Sequence, residues 1–248
     1  MALLGIDVGT GGSRAILINE QGKVLASATE NHEPFASPKT GWAEQAPEDW
    51  WRASQIAIRS VLKQGALDPD TVTGIGLSGQ MHGAVLLDAS GSVVRPAIIW
   101  CDQRTQTQCQ WLTDTIGAAR LIELTSNPAL TGFTLPKLLW VREHEPNEWT
   151  QVKRVLLPKD YVRLRLTGAY ATDVADASGT LLFDVSSRRW SPEILDATGL
   201  PLDHLPSVFE GPDVTGAITA DAASATGLPV KTPVVAGGGD QAAGAVGM

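Results

Sequence analysis

Residues 3–30, LLGIDVGTGGSRAILINEQGKVLASATE, decide the fold. Glycine-rich residues 9–12 separate two mainly apolar runs, residues 3–8 and 13–19. After a second polar turn, residues 23–30 again show the alternation of a strand. Short runs of this kind, separated by turn residues, are typical of strands joined by hairpins. The segment therefore predicts a meander of three strands.

Downstream of the meander, strands and helices alternate. Pro47 and Glu48 suit the first turn of a helix, since proline loses no hydrogen bond there and an acidic side chain favours the helix N-terminus. Gly65 and Pro69 are placed to end that helix. Further strands are predicted at residues 73–78, 83–87, 96–100 and 233–236, and residues 102–166 are predicted to be mainly helical. This order indicates an α/β domain with a mixed sheet and flanking helices.

The composition excludes several classes of protein. The 248 residues include 27 acidic and 19 basic side chains, with no basic run. Nucleic acid is bound mainly by clustered basic side chains, so we expect no nucleic-acid partner. No apolar stretch approaches the ~20 residues of a membrane helix, and no signal-peptide pattern is present at the N-terminus. We expect a cytoplasmic protein with no membrane partner.

Cysteine and histidine are too sparse for a metal site or a disulfide framework. Cys101 and Cys109 are the only cysteines, and no Cys/His cluster with ligand spacing accompanies them. The four histidines are far apart in sequence. We therefore expect thiols with a packing role and no histidine metal site.

A first candidate site is the glycine-rich turn after Asp7. Glycines let the backbone approach a phosphate closely, so that its N–H groups can point at the oxygens. Asp7 is the candidate magnesium ligand, through water, because Mg²⁺ dehydrates reluctantly. The alternative is a plain hairpin turn, and a Walker loop is excluded because its Gly-Lys-Ser/Thr is absent. The candidate phosphate-binding residues are Thr10, Gly11, Gly12, Ser13 and Arg14.

A second candidate site lies between two predicted strands, at residues 78–83 (SGQMHG). Ligand groups are commonly placed at the ends of strands in α/β sheets. Gln80 and His82 can exchange hydrogen bonds with sugar hydroxyls, and Met81 offers an apolar contact to carbon. The alternative is that His82 is an ordinary loop histidine whose hydrogen bonds are satisfied within the protein.

A third candidate site follows the strand at residues 233–236. Three glycines precede Asp240 and Gln241, and the small residues that follow can begin a tightly packed helix. A carboxylate here could accept a proton from an attacking hydroxyl, while the helix N-terminus stabilises phosphate charge. The alternative is that Asp240 only caps the helix.

A fourth candidate site is residues 100–105 (WCDQRT) at another predicted strand end. Trp100 can stack on a sugar ring, and Asp102 can accept hydrogen bonds from its hydroxyls. The alternative is a capped helix start beside a buried tryptophan.

In their joint order these motifs resemble the FGGY family of carbohydrate kinases. The resemblance rests on residues 5–14 (GIDVGTGGSR), 78–83 (SGQMHG), 100–105 (WCDQRT) and 237–245 (GGGDQAAGA). It spans the whole chain and implies an actin-like ATPase domain with a ribonuclease-H-like motif.

The resemblance also implies roles for individual residues. In the family, the residues that match Met81 and His82 contact the sugar, and glycerol kinases carry Arg-Glu there instead. The residue that matches Asp240 is the catalytic base, and the one that matches Gln241 also touches the substrate. The residues that match Asp7 and positions 10–14 belong to the magnesium and phosphate site.

The implied reaction is transfer of the γ-phosphoryl group of ATP, with Mg²⁺, to a sugar hydroxyl. Within the family the pattern is closest to members that phosphorylate D-xylulose on O5, and ribulose or another ketose or polyol is the alternative substrate. A non-catalytic actin-like nucleotide switch is disfavoured by residues 80–82 and by Asp240-Gln241. A sugar-binding module without kinase activity is disfavoured by the presence of Asp7 and Asp240.

Members of the family are longer and carry a second domain that binds adenosine. We therefore expect residues 1–248 to be the N-terminal sugar-binding kinase domain, with the C-terminal adenosine-binding domain absent from this sequence. The isolated chain is then expected to be inactive, because no domain closure can exclude water from the transferring phosphate. An exposed domain interface would favour homodimers.

Overall fold

A computed structural model describes residues 1–66 and 68–247. The strands are β1 (Ala2–Val8), β2 (Gly12–Asn19), β3 (Val24–Asn31), β4 (Glu44–Gln45), β5 (Val72–Gly79), β6 (Val85–Leu87), β7 (Ala97–Ile98), β8 (Arg154–Leu156), β9 (Ala171–Asp173), β10 (Phe183–Asp184), β11 (Arg189–Trp190), β12 (Ser207–Phe209), β13 (Val214–Ala217), β14 (Pro233–Val235) and β15 (Gly238–Gly239). The α-helices are α1 (Pro47–Gly65), α2 (Gln106–Ile116), α3 (Ala118–Thr125), α4 (Thr134–His144), α5 (Pro146–Gln151), α6 (Pro158–Thr167), α7 (Val174–Ala177), α8 (Pro192–Thr198), α9 (Ala220–Thr226) and α10 (Asp240–Gly247).

The main sheet is mixed, with strand order β13-β14-β5-β1-β2-β3. The first three strands form an antiparallel meander, in which Asp7 lies opposite Arg14 and Val8 lies opposite Ser13. β5 and β14 then add in parallel on the other side of β1. β15 also pairs in parallel with β5, with Gly239 opposite Gly79. The chain therefore leaves β5 and β15 at the same edge of the sheet.

Strand periodicity gives the sheet one covered face and one open face. Along β1, the side chains of Leu4, Ile6 and Val8 are buried, whereas Leu3 and Asp7 on the other face are not. This is the two-residue alternation of a strand that packs on one side only. The covered face packs against α1, α6 and α9.

Helix α1 begins and ends as its sequence predicts. Pro47 occupies the first turn, with Glu48 and Asp49 beside it, and the basic Lys63 lies in the last turn. Its buried side chains recur at helical spacing, which lays one apolar face on β2 and β3.

A second hydrophobic cluster lies outside the main sheet. Its members come from the middle helices and from the small ribbons that β6 forms with β8 and β4 forms with β7. They include Leu86, Ile98, Leu112, Leu121, Leu135, Leu138, Val155 and Leu182. This cluster supports the loop that follows β5, because α4 packs beneath it.

Most predicted elements are present. The meander, α1 and the helical character of residues 102–166 are confirmed. The strands predicted at residues 83–87 and 96–100 are shorter, and they pair outside the main sheet. Some of their side chains pack into the second hydrophobic cluster. The sequence pattern did not show that the chain forms two clusters. Within the described residues, no helix combines the length and the hydropathy needed to cross a membrane.

Candidate active site

The open face of the main sheet forms the floor of a cleft of about 990 Å³. Asp7 and Arg14 line it from β1 and β2, and Ser78 lines it from β5. Its other sides are formed by α10, which begins at Asp240, and by Ala175, Gly211 and Pro212. Because Gly5 and Gly76 put no side chain on this floor, the cleft reaches the strand backbones.

The turn between β1 and β2 is the first part of the site. It is closed by a hydrogen bond from Gly9 N to Gly12 O (3.0 Å) and held to β3 by one from His32 N to Gly11 O (3.0 Å). Thr10 and Gly12 are half-buried, whereas Gly11 is exposed. The main-chain amides in this exposed turn suit an anion such as phosphate.

The two charged residues of the expected phosphate and metal site lie side by side. Asp7 and Arg14 are opposite each other on β1 and β2, and both face the cleft. Arg14 Nε donates to Ser27 Oγ (3.0 Å), which fixes the inner part of the guanidinium of a residue that lines the cleft.

Ser13, an expected phosphate donor, has its side chain on the covered face. It is fully buried, and its Oγ lies 2.9 Å from His32 Nε2. Ser54 on α1 donates to the same hydroxyl (3.2 Å). The hydroxyl of Ser13 therefore holds the turn against α1 and does not face the cleft.

The loop after β5 is the second part of the site, and His82 has an unusual backbone there. Its φ is +68°, in the left-handed region that residues other than glycine seldom adopt. Its Nδ1 lies 2.6 Å from the carbonyl oxygen of Gly179, which can only accept, so Nδ1 carries the proton. Burial lowers the pKa of His82 to about 4. The ring is therefore neutral near pH 7, and Nε2 is left as an acceptor.

A buried lysine holds the backbone of this loop. Lys137 Nζ on α4 donates to the carbonyl oxygens of His82 (2.8 Å) and Gly132 (2.6 Å), and Thr134 Oγ1 also donates to His82 O (3.2 Å). Lys137 is fully buried, which lowers its pKa to about 7. Phe133 packs edge-on against the His82 ring with centroids 4.7 Å apart. These contacts stabilise the left-handed conformation at His82.

Met81 lies against the junction of β15 and α10. A Cβ atom on Gly239 would lie 2.6 Å from Met81 Cγ, so glycine at this position leaves room for the methionine. The two residues meet because β5 and β15 are paired in parallel and end together. Met81 is thereby placed next to Asp240, the residue that follows Gly239.

Asp240 is the first residue of α10, at the edge of the cleft. Its pKa is raised, first by burial and then by the negative charge of Asp7. A carboxylate with a raised pKa is a better proton acceptor. Gln241 follows it with an exposed side chain. Gly237 precedes them with φ +76°, and a Cβ atom there would lie 1.9 Å from Leu77 O, so this turn requires glycine.

Trp100 and Asp102, predicted together, lie in different environments. Trp100 is 48% exposed, and its Nε1 donates to Thr10 Oγ1 (2.9 Å), which anchors the ring beside the turn. Asp102 is fully buried and accepts from Ala43 N (2.6 Å) and from the guanidinium of Arg104. Both of its oxygens are thus occupied, and it positions the loop.

The side chain of Gln80 also makes its hydrogen bonds within the protein. Its side chain is buried and hydrogen-bonds with Thr10 Oγ1 (3.2 Å), Gly9 O (3.3 Å) and Gln45 Oε1 (2.9 Å). It links the β5 loop to the β1–β2 turn and does not point into the cleft.

A cation fits beside Asp7. Its carboxylate lines the cleft and receives no hydrogen bond from the described side chains. Mg²⁺ is usually held by one or two carboxylates together with waters and phosphate oxygens. A single carboxylate beside a glycine-rich turn is therefore compatible with such a site. No group of three or more His, Cys, Asp or Glu side chains in the described residues forms a metal cage.

Sequence reasoning missed three residues that support the site. Gln45 lies in the two-residue strand β4, and Lys137 and Lys159 are buried basic residues within α4 and α6. Lys137 gave a signal, since it lies within an apolar helical stretch where a charge is unexpected, whereas Lys159 lies in a helix that also carries Asp160 and Arg163 and gave none. Gln45 gave none, because its partners Thr10 and Gln80 are distant in sequence.

Comparisons with known proteins identify the family of the chain. Residues 2–247 match the model of the FGGY family of carbohydrate kinases, N-terminal domain. The xylulose kinases of Klebsiella pneumoniae and Escherichia coli (strain K12) are 50% and 48% identical over 245 residues, which are 99% of this chain and 50% and 49% of theirs. The chain thus spans about half the length of these curated relatives.

The solved structures give the same result. The crystal structure of xylulose kinase from Rhodospirillum rubrum superposes with a TM-score of 0.94 at 30% identity, over 99% of this chain and 50% of the other. The actin-like fold expected from the resemblance is confirmed. From its sequence, its fold and its family match, this chain belongs to the FGGY family of carbohydrate kinases.

Proposed function

We propose that this chain provides the sugar site and the catalytic base of an ATP-dependent kinase that phosphorylates D-xylulose. The observation that carries the proposal is the pairing of β5 with β15. This pairing brings Met81 next to Asp240 at the edge of a cleft that Asp7 also lines.

Asp240 is the proposed general base. It would accept the proton of the attacking sugar hydroxyl while the hydroxyl oxygen forms a bond to the γ-phosphorus of ATP, and the bond from that phosphorus to the leaving oxygen breaks. The raised pKa of Asp240 supports this role. Its place at the start of α10 also puts helix amides near the developing negative charge.

The phosphate side of the reaction is assigned to the β1–β2 turn. We propose that main-chain amides of residues 10–12 and the guanidinium of Arg14 contact the phosphates, and that Asp7 holds Mg²⁺ through water. Bound Mg²⁺ would neutralise charge on the phosphate oxygens. Ser13 is not among the donors we propose, because its hydroxyl is buried against α1.

The sugar side is assigned to Met81, His82, Trp100, Asp240 and Gln241. His82 would accept a hydrogen bond from a sugar hydroxyl at Nε2, while Met81 and the exposed face of Trp100 contact carbon. Gln80 and Asp102 are proposed to position these residues rather than to touch the sugar. D-Xylulose is favoured because several relatives, up to 50% identical, are named xylulose kinases.

We propose that adenosine binds to a second domain, as in the longer relatives. In support, the cleft floor is a sheet face that the described residues leave open between α10 on one side and Ala175, Gly211 and Pro212 at its rim. Closure of a second domain over this face would exclude water from the transferring phosphate.

The test is phosphorylation of D-xylulose by a form of the protein in which these residues are followed by an adenosine-binding domain. We expect product with D-xylulose and ATP, and much less with D-ribulose or glycerol. Equal rates with all three acceptors would contradict the proposed substrate, and no sugar-dependent use of ATP would contradict the proposed activity.

Asp240→Asn supplies the matched test of mechanism. Removal of a general base typically costs ~10²–10⁴-fold in turnover, while sugar affinity should change little. Steady-state turnover and calorimetric titration with D-xylulose measure the two effects. Turnover within a few-fold of the parent would remove Asp240 from the role of base.

A further inference from the structure

Three polar side chains from distant segments close a ring of hydrogen bonds beneath the site. Thr10 Oγ1 donates to Gln80 Oε1 (3.2 Å), Gln80 Nε2 donates to Gln45 Oε1 (2.9 Å), and Gln45 Nε2 donates to the carbonyl oxygen of Thr10 (2.8 Å). Gln45 is 5% exposed and Gln80 is 1% exposed. Water is therefore a poor substitute for a lost member of the ring.

Two indole N–H groups fix the donor and the acceptor in each hydrogen bond of this ring. Trp50 Nε1 donates to Gln45 Oε1 (3.1 Å), and Trp100 Nε1 donates to Thr10 Oγ1 (2.9 Å). An indole N–H is a donor only, so Gln45 must present its oxygen to Trp50 and its amide nitrogen to the carbonyl of Thr10. Thr10 must in turn donate to Gln80. Reversal of either amide would face donor against donor or acceptor against acceptor.

The ring joins the two halves of the site. Thr10 belongs to the phosphate-side turn, and Gln80 directly precedes Met81 and His82 on the sugar side. The main chain of Gln80 also donates to Val8 O (2.8 Å), which ties the loop to the end of β1. A movement of the sugar-side loop would thus move Gln80, and the turn must follow or leave a buried amide without a partner.

We propose that Gln45 is a positioning residue that couples sugar binding at Met81 and His82 to the conformation of the β1–β2 turn. The proposal rests on the proposed function, because the sugar is assigned to that loop there. Gln45 touches neither substrate in this account. It acts by completing the ring, so that a bound sugar orders the turn that receives the phosphates.

The experiment is hydrogen–deuterium exchange on residues 1–248, read by mass spectrometry on peptides that cover residues 9–14. The parent, Gln45→Met and Gln45→Glu are compared with and without D-xylulose. Met removes both hydrogen-bonding groups at similar volume, while Glu retains the acceptor for Trp50 and loses the donor to Thr10. Gln55→Met is the matched control, because among the described residues the side chain of Gln55 donates only to Trp51 O within α1.

In the parent and in Gln55→Met, we expect D-xylulose to slow exchange at residues 9–14. In both Gln45 variants this protection should be absent, and the melting temperature should fall by a few degrees because buried groups lose their hydrogen-bond partner. Sugar affinity should fall by about 5-fold or more, the lower end of typical coupling between sites. A bound sugar that protects the turn equally in Gln45→Met would overturn the coupling.

Results for the parent protein separate the sugar site from the coupling. If the parent does not bind D-xylulose, the proposed sugar site fails and the coupling falls with it. If the parent binds D-xylulose without any change at residues 9–14, the sugar site stands and the coupling is wrong. If Gln45→Met is unfolded, Gln45→Glu and the milder Thr10→Val, which breaks the ring at another member, decide by the same measurement.

Discussion

The backbone and surroundings of His82 determine the tautomer and the protonation state of its imidazole. Lys137 and Thr134 donate hydrogen bonds to its carbonyl oxygen while φ remains at +68°, and its Nδ1–H donates to the carbonyl oxygen of Gly179. Burial lowers the pKa to about 4, so the protonated ring is disfavoured even in mild acid. The acceptor at Nε2 is therefore available across the physiological pH range.

This pKa leads to a prediction about pH. The folded His82 titrates near 4 and the unfolded one near its ordinary value of 6.5, so the unfolded chain binds more protons between these values. We expect stability to fall as pH falls from 6.5 to about 4, and to fall less in His82→Asn. Urea denaturation of both proteins across this range measures the difference. Parallel pH profiles would show that the folded His82 titrates normally.

At the scale of elements, the junction of β15 and α10 is shaped by its contact with the β5 loop. Gly239 makes room for Met81, whereas neighbouring Gly238 has no atom within 4 Å of where a Cβ would lie. Both glycines belong to the same two-residue strand. They therefore offer a matched pair of positions that differ in one contact.

We expect Gly239→Ala to weaken sugar binding, because the new methyl group displaces Met81 from its place beside Asp240. Misplacement by about 1 Å can cost up to ~10²-fold in activity. Some loss of stability should accompany this effect, because the clashing atom is Cγ and the whole side chain of Met81 has to move. Calorimetric titration with D-xylulose measures the effect, and Gly238→Ala is the control. Equal affinities in the two variants would show that Met81 does not shape the sugar site.

A buried charge cluster joins α6, β9 and α7 beneath the same junction. Lys159 Nζ lies 2.7 Å from Asp160, 2.6 Å from Asp173 and 2.9 Å from Asp176, and all four side chains are fully buried. Arg163 adds hydrogen bonds to the carbonyl oxygens of Ala171 and Ala236, the latter just before Gly237. The cluster therefore fixes the end of β14 relative to α6.

Removal of Lys159 should be strongly destabilising. Lys159→Met would leave three carboxylates buried without their common partner, and breaking a buried ion pair typically costs ~3–5 kcal/mol. The exposed Lys153→Met is the control, for which a change within about 0.5 kcal/mol is usual. Urea denaturation gives both free energies of unfolding. A similar small loss in the two variants would mean that the cluster contributes little to stability.

At the scale of the whole molecule, the main sheet is covered on one side only. The apolar side chains of β1 and β5 pack under α1, α6 and α9, while glycines and Asp7 occupy the open face. The hydrophobic core therefore does not depend on anything that covers the cleft. The groups to which we assign catalytic roles, in contrast, are all at or beside the open face.

We expect residues 1–248 to fold on their own and to bind D-xylulose weakly, with negligible turnover of ATP. The core is of ordinary size for a domain, but adenine and ribose have no partner surface in the proposed arrangement. Titration of the purified chain with D-xylulose and with ATP–Mg²⁺, followed by a turnover assay, tests this. Turnover comparable to that of a full-length kinase would place the adenosine site within these residues.

The sequence by itself determined the local structure and the order of the motifs. Hydrophobic alternation in residues 3–30 predicted the meander, and the proline and acidic residues at 47–49 predicted where α1 begins. These features depend on side chains that are neighbours in the chain, so the sequence pattern predicts them directly. The placement of Asp240 at a strand-to-helix junction followed in the same way.

Only the tertiary structure decided which polar side chains are free to meet a ligand. Asp102 is occupied by Ala43 and Arg104, and Ser13 by His32 and Ser54. Asp102 and Ser13 looked like ligand groups in the sequence, as did Gln80, because the type and spacing of a residue do not reveal a hydrogen-bond partner tens of residues away. A buried polar group must be paired, and the fold chooses its partner.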